Sequence, residues 1–308
     1  MADVSLADSS RSAPTPTWPA PRAVLELFKP VTWFPPMWAF MCGVVSSGAA
    51  WSDTWWLALA GVMLAGPLVC ATSQAVNDWF DRDLDAINEP HRPIPSGRIP
   101  GRWGLWIALL WTWLSVLYAS FLGPWVFAAT LVGLALAWAY SAPPVRLKQS
   151  GWWGPGAVAL SYEGITWFTG AAVVLGTLPD WRIIALAALY SFGAHGIMTL
   201  NDFKAIEGDR KMGIRSLPAE LGPDPASWLA CVVMAAPQVV VISLLVSWDR
   251  PWFAAGVGVL LAAQLLFMAR LVRDPRALAP WYNGTGVLSY VLGMLVSAIA
   301  VRGLAGGV

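Results

Sequence analysis

Charged residues are scarce in this sequence, and their scarcity argues against an ordinary soluble protein. Lys, Arg, Asp and Glu make up 12% of the 308 residues, against about 25% in a typical globular domain. Hydrophobic residues make up 57%, which is typical of a chain that crosses a membrane several times. The formal net charge is only +1, so the chain has no overall positive charge with which to attract nucleic acid.

Cysteine is also rare, and its positions argue against a disulfide framework or a structural metal. Cys42, Cys70 and Cys231 are far apart, and none lies in a CxxC or Cys/His cluster. We interpret them as small buried apolar side chains. The sequence likewise shows no Ser/His/Asp or Cys/His arrangement of the kind used in nucleophilic catalysis.

The N-terminal residues lack the basic start and apolar core of a signal peptide. Residues 1–20 are instead rich in Ser, Ala and Pro, a composition that favours disorder. We therefore predict a disordered cytoplasmic tail over residues 1–28, followed by a single transmembrane domain over residues 29–302.

Long apolar stretches dominate the rest of the chain. A helix needs roughly 20 residues to cross about 30 Å of hydrocarbon, and nine stretches approach that length. They lie at residues 30–51, 54–79, 103–122, 124–141, 154–176, 181–202, 226–247, 251–271 and 281–302. The sequence therefore predicts an all-α membrane protein with nine transmembrane helices.

The distribution of Lys and Arg predicts the orientation of these helices. With the N-terminus inside, 16 of the 19 Lys and Arg residues lie on the inner side, and only Arg182, Arg250 and Arg302 lie outside. Because basic residues are enriched in cytoplasmic loops, the long loops 80–102 and 203–225 are predicted to be cytoplasmic, and the C-terminus to lie outside.

A weak internal repeat links these two loops. Asn77-Asp78 ends the second predicted helix, and Asn201-Asp202 ends the sixth. Both copies enter their loops in the same direction. Parallel repeats of this kind usually place a shared binding site between the two halves.

The first copy continues with further acidic residues at helical spacing. If the helix extends two more turns, Asp78, Asp81 and Asp85 share one face, whereas Asp83 points elsewhere. Three like charges repel each other, and the C-terminal end of a helix is itself partly negative. This arrangement therefore requires a cation nearby.

The second copy places Asp202 and Asp209 at the same i, i+7 spacing. Oxygen-rich sites suit hard divalent cations, and Mg²⁺ typically combines one or two carboxylates with substrate phosphate. We predict that Mg²⁺ bound by these acids bridges to a diphosphate; the predicted metal ligands are Asp78, Asp81, Asp85, Asp202 and Asp209. The alternative is that the acids are solvated loop charges beside membrane helices.

Basic residues accompany both acidic motifs. Arg92 lies in a loop stiffened by three prolines, and Arg is well shaped for two-point contact with phosphate. Arg146 and Lys148 follow the fourth predicted helix, and Lys204 and Arg210 flank the second motif. We expect these cations to face the diphosphate, although the enrichment of Lys and Arg in cytoplasmic loops also accounts for some of them.

One further acid lies inside a predicted membrane helix. Glu163 falls one or two turns into the fifth helix, where an unpaired carboxylate is costly and often functional. Two interpretations remain open: the side chain lines a cavity, or it takes part in a structural pair.

Taken together, the motifs resemble the signatures of the UbiA-type intramembrane prenyltransferases. The pattern ND-x-x-D-x-x-x-D at residues 77–85 is similar to the first signature, and the segment from ND to EGDR at residues 201–210 is similar to the second. The loop DAINEPHRPIPSG at residues 85–97 resembles the chlorophyll and bacteriochlorophyll synthase branch. One departure is Ala205, where many members of the superfamily carry a further Asp.

The resemblance implies a bundle around a central cavity open to lipid, with Mg²⁺ as cofactor. It implies a geranylgeranyl or phytyl diphosphate donor, a (bacterio)chlorophyllide acceptor, and a place in a bacterial photosynthetic membrane beside other pigment-synthesis proteins. The five acids and Arg92 would be catalytic. The residues expected to bind substrate are Asn77, Tyr140, Arg146, Lys148, Glu163, Asn201, Lys204 and Arg210.

Two other functions remain open at this point. An ion-coupled transporter also carries acids near the ends of membrane helices, although coupling sites usually lie at mid-membrane on broken helices rather than in long loops on one side. Within the enzymes, the acceptor could instead be a quinone precursor or haem.

Overall fold

The computed structural model describes residues 18–302 and residue 304 of the chain, and all the regular secondary structure in that part is helical. The helices are α1 Pro21–Leu27, α2 Phe34–Ser46, α3 Trp51–Asn88, α4 Trp103–Ser120, α5 Pro124–Ser141, α6 Trp153–Leu175, α7 Trp181–Asn201, α8 Ile206–Met212, α9 Leu217–Leu221, α10 Pro223–Ser247, α11 Pro251–Leu271 and α12 Pro275–Val301. The predicted all-α class is confirmed.

Eight of the helices in the described part are long and apolar enough to cross a membrane: α3 to α7 and α10 to α12. The first predicted crossing, residues 30–51, differs. It forms a 3₁₀ turn at Pro30–Trp33 and then α2, which has 13 residues. Thirteen residues rise about 20 Å, short of the roughly 30 Å of a bilayer core. The helix stops early because Ser47 and Gly48 follow it, and Gly48 adopts a left-handed φ of 73°.

Helix α1 lies within the range 1–28 that was predicted to be a disordered tail. Residues 1–17 fall outside the described residues, but Pro21 begins a helix in which Ala23 and Leu27 share a face and are buried. They pack in one cluster with residues of α3 and α4. Burial of this apolar i, i+4 pair against the membrane domain stabilises the short helix in its position.

Two of the membrane helices contain a π-helical segment. One covers Leu64–Cys70 in α3 and includes Pro67, and the other covers Leu160–Ile165 in α6. Proline lacks the N–H of a regular helical turn, which explains the wider turn in α3. π-Helical segments often lie at functional sites because they redirect side chains.

Helices α2 and α6 pack through glycine. A Cβ atom built on Gly43 would overlap the carbonyl oxygen of Trp167, and one built on Gly170 would overlap that of Phe40. Each helix therefore presses its backbone against the other, as small residues commonly allow in membranes.

We expect Gly43→Ala and Gly170→Ala each to destabilise the protein by about 1–3 kcal/mol, because the added methyl group must push the two backbones apart. The measurement is thermal unfolding of the purified protein in detergent. Gly258→Ala is the matched control, since Gly258 also lies in a membrane helix, α11, and has open space around it. An unchanged melting temperature for both α2–α6 variants would contradict this account.

Candidate active site

A cavity of about 770 Å³ opens between α3, α5, α6 and α7. Its polar lining residues include Asn77, Asp81, Tyr140, Arg146, Lys148, Asn201, Asp202, Asp209 and Ser216; its apolar ones include Pro35, Ala65, Val69, Leu136, Ala137 and Val158. Ala65 precedes Asp81 by sixteen residues on α3, so the lining extends over about 24 Å of helix at 1.5 Å per residue. The cavity is therefore elongated, with charged groups gathered near one end.

The first acidic motif forms the continuous end of α3, as predicted. Asp78 and Asp85 are buried, Asp81 is nearly so, and Asp83 has 88% of its side chain exposed on the opposite face. The prediction that three acids share one face is confirmed. Of the three, Asp81 lines the cavity, whereas Asp78 and Asp85 lie behind it.

The two acids behind the cavity wall are held by basic residues. The Lys29 ammonium lies 2.6 Å from Asp78 Oδ1, and Arg92 lies 2.9 Å from Asp85 and 3.6 Å from Asp78. These ion pairs offset the like-charge repulsion expected from the sequence. The Oδ2 atom of Asp78 is nevertheless buried with no hydrogen-bond partner.

Asp81 has its own set of partners at the cavity surface. Lys148 donates to it at 2.5 Å, Arg146 lies 3.5 Å away, and the Asn77 side-chain amide donates at 3.1 Å. Burial lowers the pKa of Lys148, and the adjacent Asp81 carboxylate opposes that shift. A cation in this position can exchange its ion pair with Asp81 for one with an incoming anion, and its side chain needs to move little.

Lys29 and Arg146 share an unusual backbone conformation. Their φ angles are 45° and 44°, in the left-handed region that residues other than Gly rarely adopt. Such strain costs energy and tends to persist at functional sites. Here it directs one basic side chain to Asp78 and the other to Asp81.

The second acidic motif reaches the same cavity from α7. Helix α7 ends at Asn201, a 3₁₀ turn covers Asp202–Lys204, and α8 then carries Asp209. Both Asp202 and Asp209 line the cavity, and neither forms an ion pair within the described part of the chain. Burial raises the pKa of Asp209, and the Ser216 hydroxyl, which donates to it at 2.6 Å, opposes that shift.

The loops that carry these groups are joined by backbone hydrogen bonds. Gly151 N donates to Arg215 O at 2.7 Å, and Arg215 N donates to Gln149 O at 3.0 Å. A Cβ atom on Gly151 would lie 2.5 Å from Leu217 N, so only glycine allows this approach. The pairing fixes the Lys148 loop beside the loop that follows Asp209.

Some predicted site residues do not reach the cavity. Arg92 was expected to face a diphosphate, but it contacts Asp78, Asp85 and Glu89 instead. Glu163 is buried and does not line the cavity, and its Oε2 atom has no hydrogen-bond partner among the described residues, so within that part of the chain neither of the two interpretations is seen. Lys204 is exposed. Arg210 donates to the Ala219 carbonyl at 3.2 Å.

Three residues that sequence reasoning did not single out support the site. Lys29 pairs with Asp78, Ser216 donates to Asp209, and Asn283 of α12 donates to Asn201 Oδ1 at 2.8 Å. Lys29 directly precedes the first apolar stretch. A basic residue in that position is usually interpreted as an anchor at the membrane surface, so its pairing with an acid was not predicted. The other two are distant in sequence from the residues they contact, so spacing carries no signal for them.

The donor chemistry of the site fits Mg²⁺. Among the described residues, no group of three or more Asp, Glu, His or Cys side chains lies close enough to hold an ion by itself. Mg²⁺, however, commonly uses only one or two carboxylates and takes its remaining ligands from water and substrate phosphate. Asp202 and Asp209 are carboxylates that form no ion pair with any residue of the described range, and Tyr140 lies within electrostatic range of both and of Asp81. The cavity end therefore offers a suitable oxygen set.

Known proteins resemble this chain over most of its length. The model of the UbiA prenyltransferase family matches residues 33–301. The bacteriochlorophyll synthase 33 kDa chain of Cereibacter sphaeroides is 62% identical over 286 residues, which cover 93% of this chain and 95% of that protein. The chloroplastic chlorophyll synthase of Arabidopsis thaliana is 37% identical, covering 90% of this chain and 73% of that one.

A solved structure shares the fold. A UbiA homolog from Archaeoglobus fulgidus, bound to GPP and Mg²⁺, superposes with a TM-score of 0.69 over 91% of this chain and 99% of that chain, at 18% sequence identity. The family match and the two relatives agree with this architecture. The chain therefore belongs to the UbiA prenyltransferase family.

Proposed function

We propose that this prenyltransferase transfers a geranylgeranyl or phytyl group from its diphosphate to the propionate carboxylate of (bacterio)chlorophyllide. The observation that carries the proposal is the elongated cavity, in which acids of both motifs and two cations stand at one end and an apolar lining extends away from them. The 62% identity to a bacteriochlorophyll synthase supports the choice of acceptor.

The charged end of the cavity is suited to a diphosphate. Asp202, Asp209 and Asp81 would hold Mg²⁺, with Asp78 and Asp85 behind them. When bound, the ion neutralises the diphosphate and makes it a better leaving group. Arg146 and Lys148, now paired with Asp81, would stabilise the charge that builds up on the departing oxygen.

The apolar lining is suited to the prenyl chain and to the reacting carbon. The bond between the first prenyl carbon and the diphosphate oxygen breaks, and the diphosphate leaves with the electron pair. A carboxylate oxygen of the acceptor then bonds to that carbon and forms the ester. The carboxylate is already deprotonated at neutral pH, so the chain needs no strong base, and exclusion of water protects the reactive carbon from hydrolysis.

We also propose how the chain lies in the bilayer. Together with the 3₁₀ turn that precedes it, α2 gives 17 helical residues, at the lower limit of a spanning helix. Counting α2 as a crossing gives nine, with the N-terminus and the acidic loops in the cytoplasm and the C-terminus outside, as the distribution of Lys and Arg favours. The membrane would be the bacterial photosynthetic inner membrane, and contact with other pigment-synthesis proteins stays a prediction.

The direct test combines the purified protein with Mg²⁺, geranylgeranyl or phytyl diphosphate, and one acceptor at a time. The acceptors are bacteriochlorophyllide, chlorophyllide, a quinone precursor and haem, and mass spectrometry identifies the product. We expect ester formation only with the two chlorophyllides. A prenylated quinone precursor or haem would overturn the acceptor assignment, and ion flux in vesicles without any product would favour a transporter instead.

A further inference from the structure

An uncharged polar cluster interrupts the apolar wall of the cavity. It consists of Thr32, Cys70, Gln74 and Tyr162, all of which line the cavity. The Gln74 side-chain amide donates to Tyr162 Oη at 3.2 Å, and Cys70 Sγ lies 3.4 Å from the same oxygen and 3.6 Å from Thr32 Oγ1. We call these four residues the wall cluster.

The wall cluster includes one residue from each of the two π-helical segments. Cys70 is the last residue of the segment in α3, and Tyr162 lies inside the segment in α6. Gln74 precedes Asp81 by seven residues, two helical turns, so both project toward the cavity about 10 Å apart along the helix. That distance is comparable to the width of a four-pyrrole ring.

The members of the wall cluster retain unused hydrogen-bonding capacity. The Gln74 carbonyl oxygen accepts no hydrogen bond within the described part of the chain, and beyond its bond to Tyr162 the amide reaches only the Cys70 sulfur among the described side chains. Besides Gln74, the Tyr162 hydroxyl has Ser73 and Cys70 Sγ as side-chain neighbours, and sulfur is a weak partner. Leaving a polar group unpaired in an apolar setting costs about 1–3 kcal/mol, so the wall cluster is suited to a ligand that bears oxygen atoms.

The prenyl chain is a poor occupant for this part of the wall. It is a hydrocarbon and offers no hydrogen-bond acceptor, and the neighbouring apolar residues, such as Val69 and Leu136, already suit it. A chlorophyllide-type acceptor, in contrast, is a flat ring with carbonyl oxygens on its periphery. With the propionate directed toward the charged end of the cavity, part of that periphery would fall at the depth of the wall cluster.

We propose that the wall cluster is the acceptor subsite, in which Gln74 and Tyr162 donate hydrogen bonds to a carbonyl oxygen on the ring edge. Thr32 and Cys70 support the Tyr162 hydroxyl from the other side. This assignment rests on the proposed prenyl transfer to a chlorophyllide. It makes the wall cluster a determinant of which acceptor is used, separate from the acids and cations that serve the diphosphate.

The test measures KM for acceptor and donor separately in Tyr162→Phe and Gln74→Leu. We expect KM for bacteriochlorophyllide to rise about tenfold in each variant, the equivalent of 1.4 kcal/mol, with KM for the prenyl diphosphate unchanged. Tyr118→Phe, which removes the same hydroxyl from a tyrosine of α4 outside the cavity lining, is the matched control and should leave both constants unchanged.

A set of altered acceptors distinguishes two roles for the wall cluster: direct binding of the acceptor, and support of the cavity wall alone. In this set each ring carbonyl is removed in turn, with acetyl replaced by vinyl and the ring ketone by methylene. We expect one altered acceptor to bind the unmodified enzyme about tenfold more weakly and to show no further loss with Tyr162→Phe. An equal loss for every acceptor, or an unchanged KM in both variants, would overturn the subsite. Absence of product from the unmodified enzyme would instead overturn the proposed function.

Discussion

Asp202→Asn is expected to lower the rate of prenyl transfer at least about 100-fold without disturbing the fold, the scale on which a single charge-stabilising group acts in an active site. Asp202 lines the cavity at the end of α7 and has no ion pair within the described part of the chain. Asparagine has the same shape, so the change removes a negative charge and leaves no basic side chain unpaired. The measurement is the initial rate as a function of Mg²⁺ concentration, and the Mg²⁺ requirement should rise together with the loss of rate.

The control for this experiment lies in the first motif. Asp83→Asn makes the same change of charge on a side chain that is 88% exposed and faces away from the cavity, so its rate should match that of the unmodified enzyme. Asp78→Asn is less informative, because it also removes the partner of Lys29 and so combines lost stability with lost activity. Full activity of Asp202→Asn at low Mg²⁺ would remove Asp202 from the metal site.

Arg92→Gln is expected to destabilise the protein by about 3 kcal/mol, because it leaves the buried carboxylate of Asp85 without its main counter-charge and weakens that of Asp78. Arg92 contacts Asp85 at 2.9 Å and Asp78 at 3.6 Å, and both acids are almost fully buried. The loss appears as a lower melting temperature in detergent. KM for the prenyl diphosphate should change little, because Arg92 does not line the cavity.

A second substitution tests whether the unpaired carboxylate of Asp85 causes the loss of stability. Asp85→Asn combined with Arg92→Gln removes both partners of the closest pair, so the double variant should recover much of the stability lost in the single one. The opposite outcome is equally clear. If Arg92→Gln keeps its melting temperature but raises KM for the diphosphate tenfold or more, Arg92 contacts the substrate, as its place in a rigid loop first indicated.

The features that sequence reasoning predicted correctly follow from regular spacing. Eight apolar stretches of near-spanning length are eight helices, and the i, i+3, i+7 acids share a face because α3 continues through Asn88. The first predicted helix, residues 30–51, extends past the end of α2 at Ser46. Counting apolar residues gives little weight to the turn at Ser47 and Gly48. That turn depends on a left-handed glycine, which composition does not reveal.

The partners of the charged residues could not be predicted in the same way. The sequence shows that acids and bases occur near each other, but the choice between substrate and side chain depends on three-dimensional contact. Arg92 was assigned to a diphosphate and is found with Asp85, and Lys29 was overlooked although it lies 2.6 Å from Asp78, 49 residues away. The wall cluster likewise joins three separate segments of the chain.

The backbone pairing of Gly151 with Arg215 has a practical consequence for labelling the enzyme. A reporter group or epitope inserted between residues 142 and 151 would break this pairing and displace Lys148 and Asp209 together. The turn at Gly176 joins α6 to α7 and has open space around its left-handed glycine. It lies at the end of α7 opposite to Asp202. A probe placed there should follow the protein in its membrane while pigment synthesis continues.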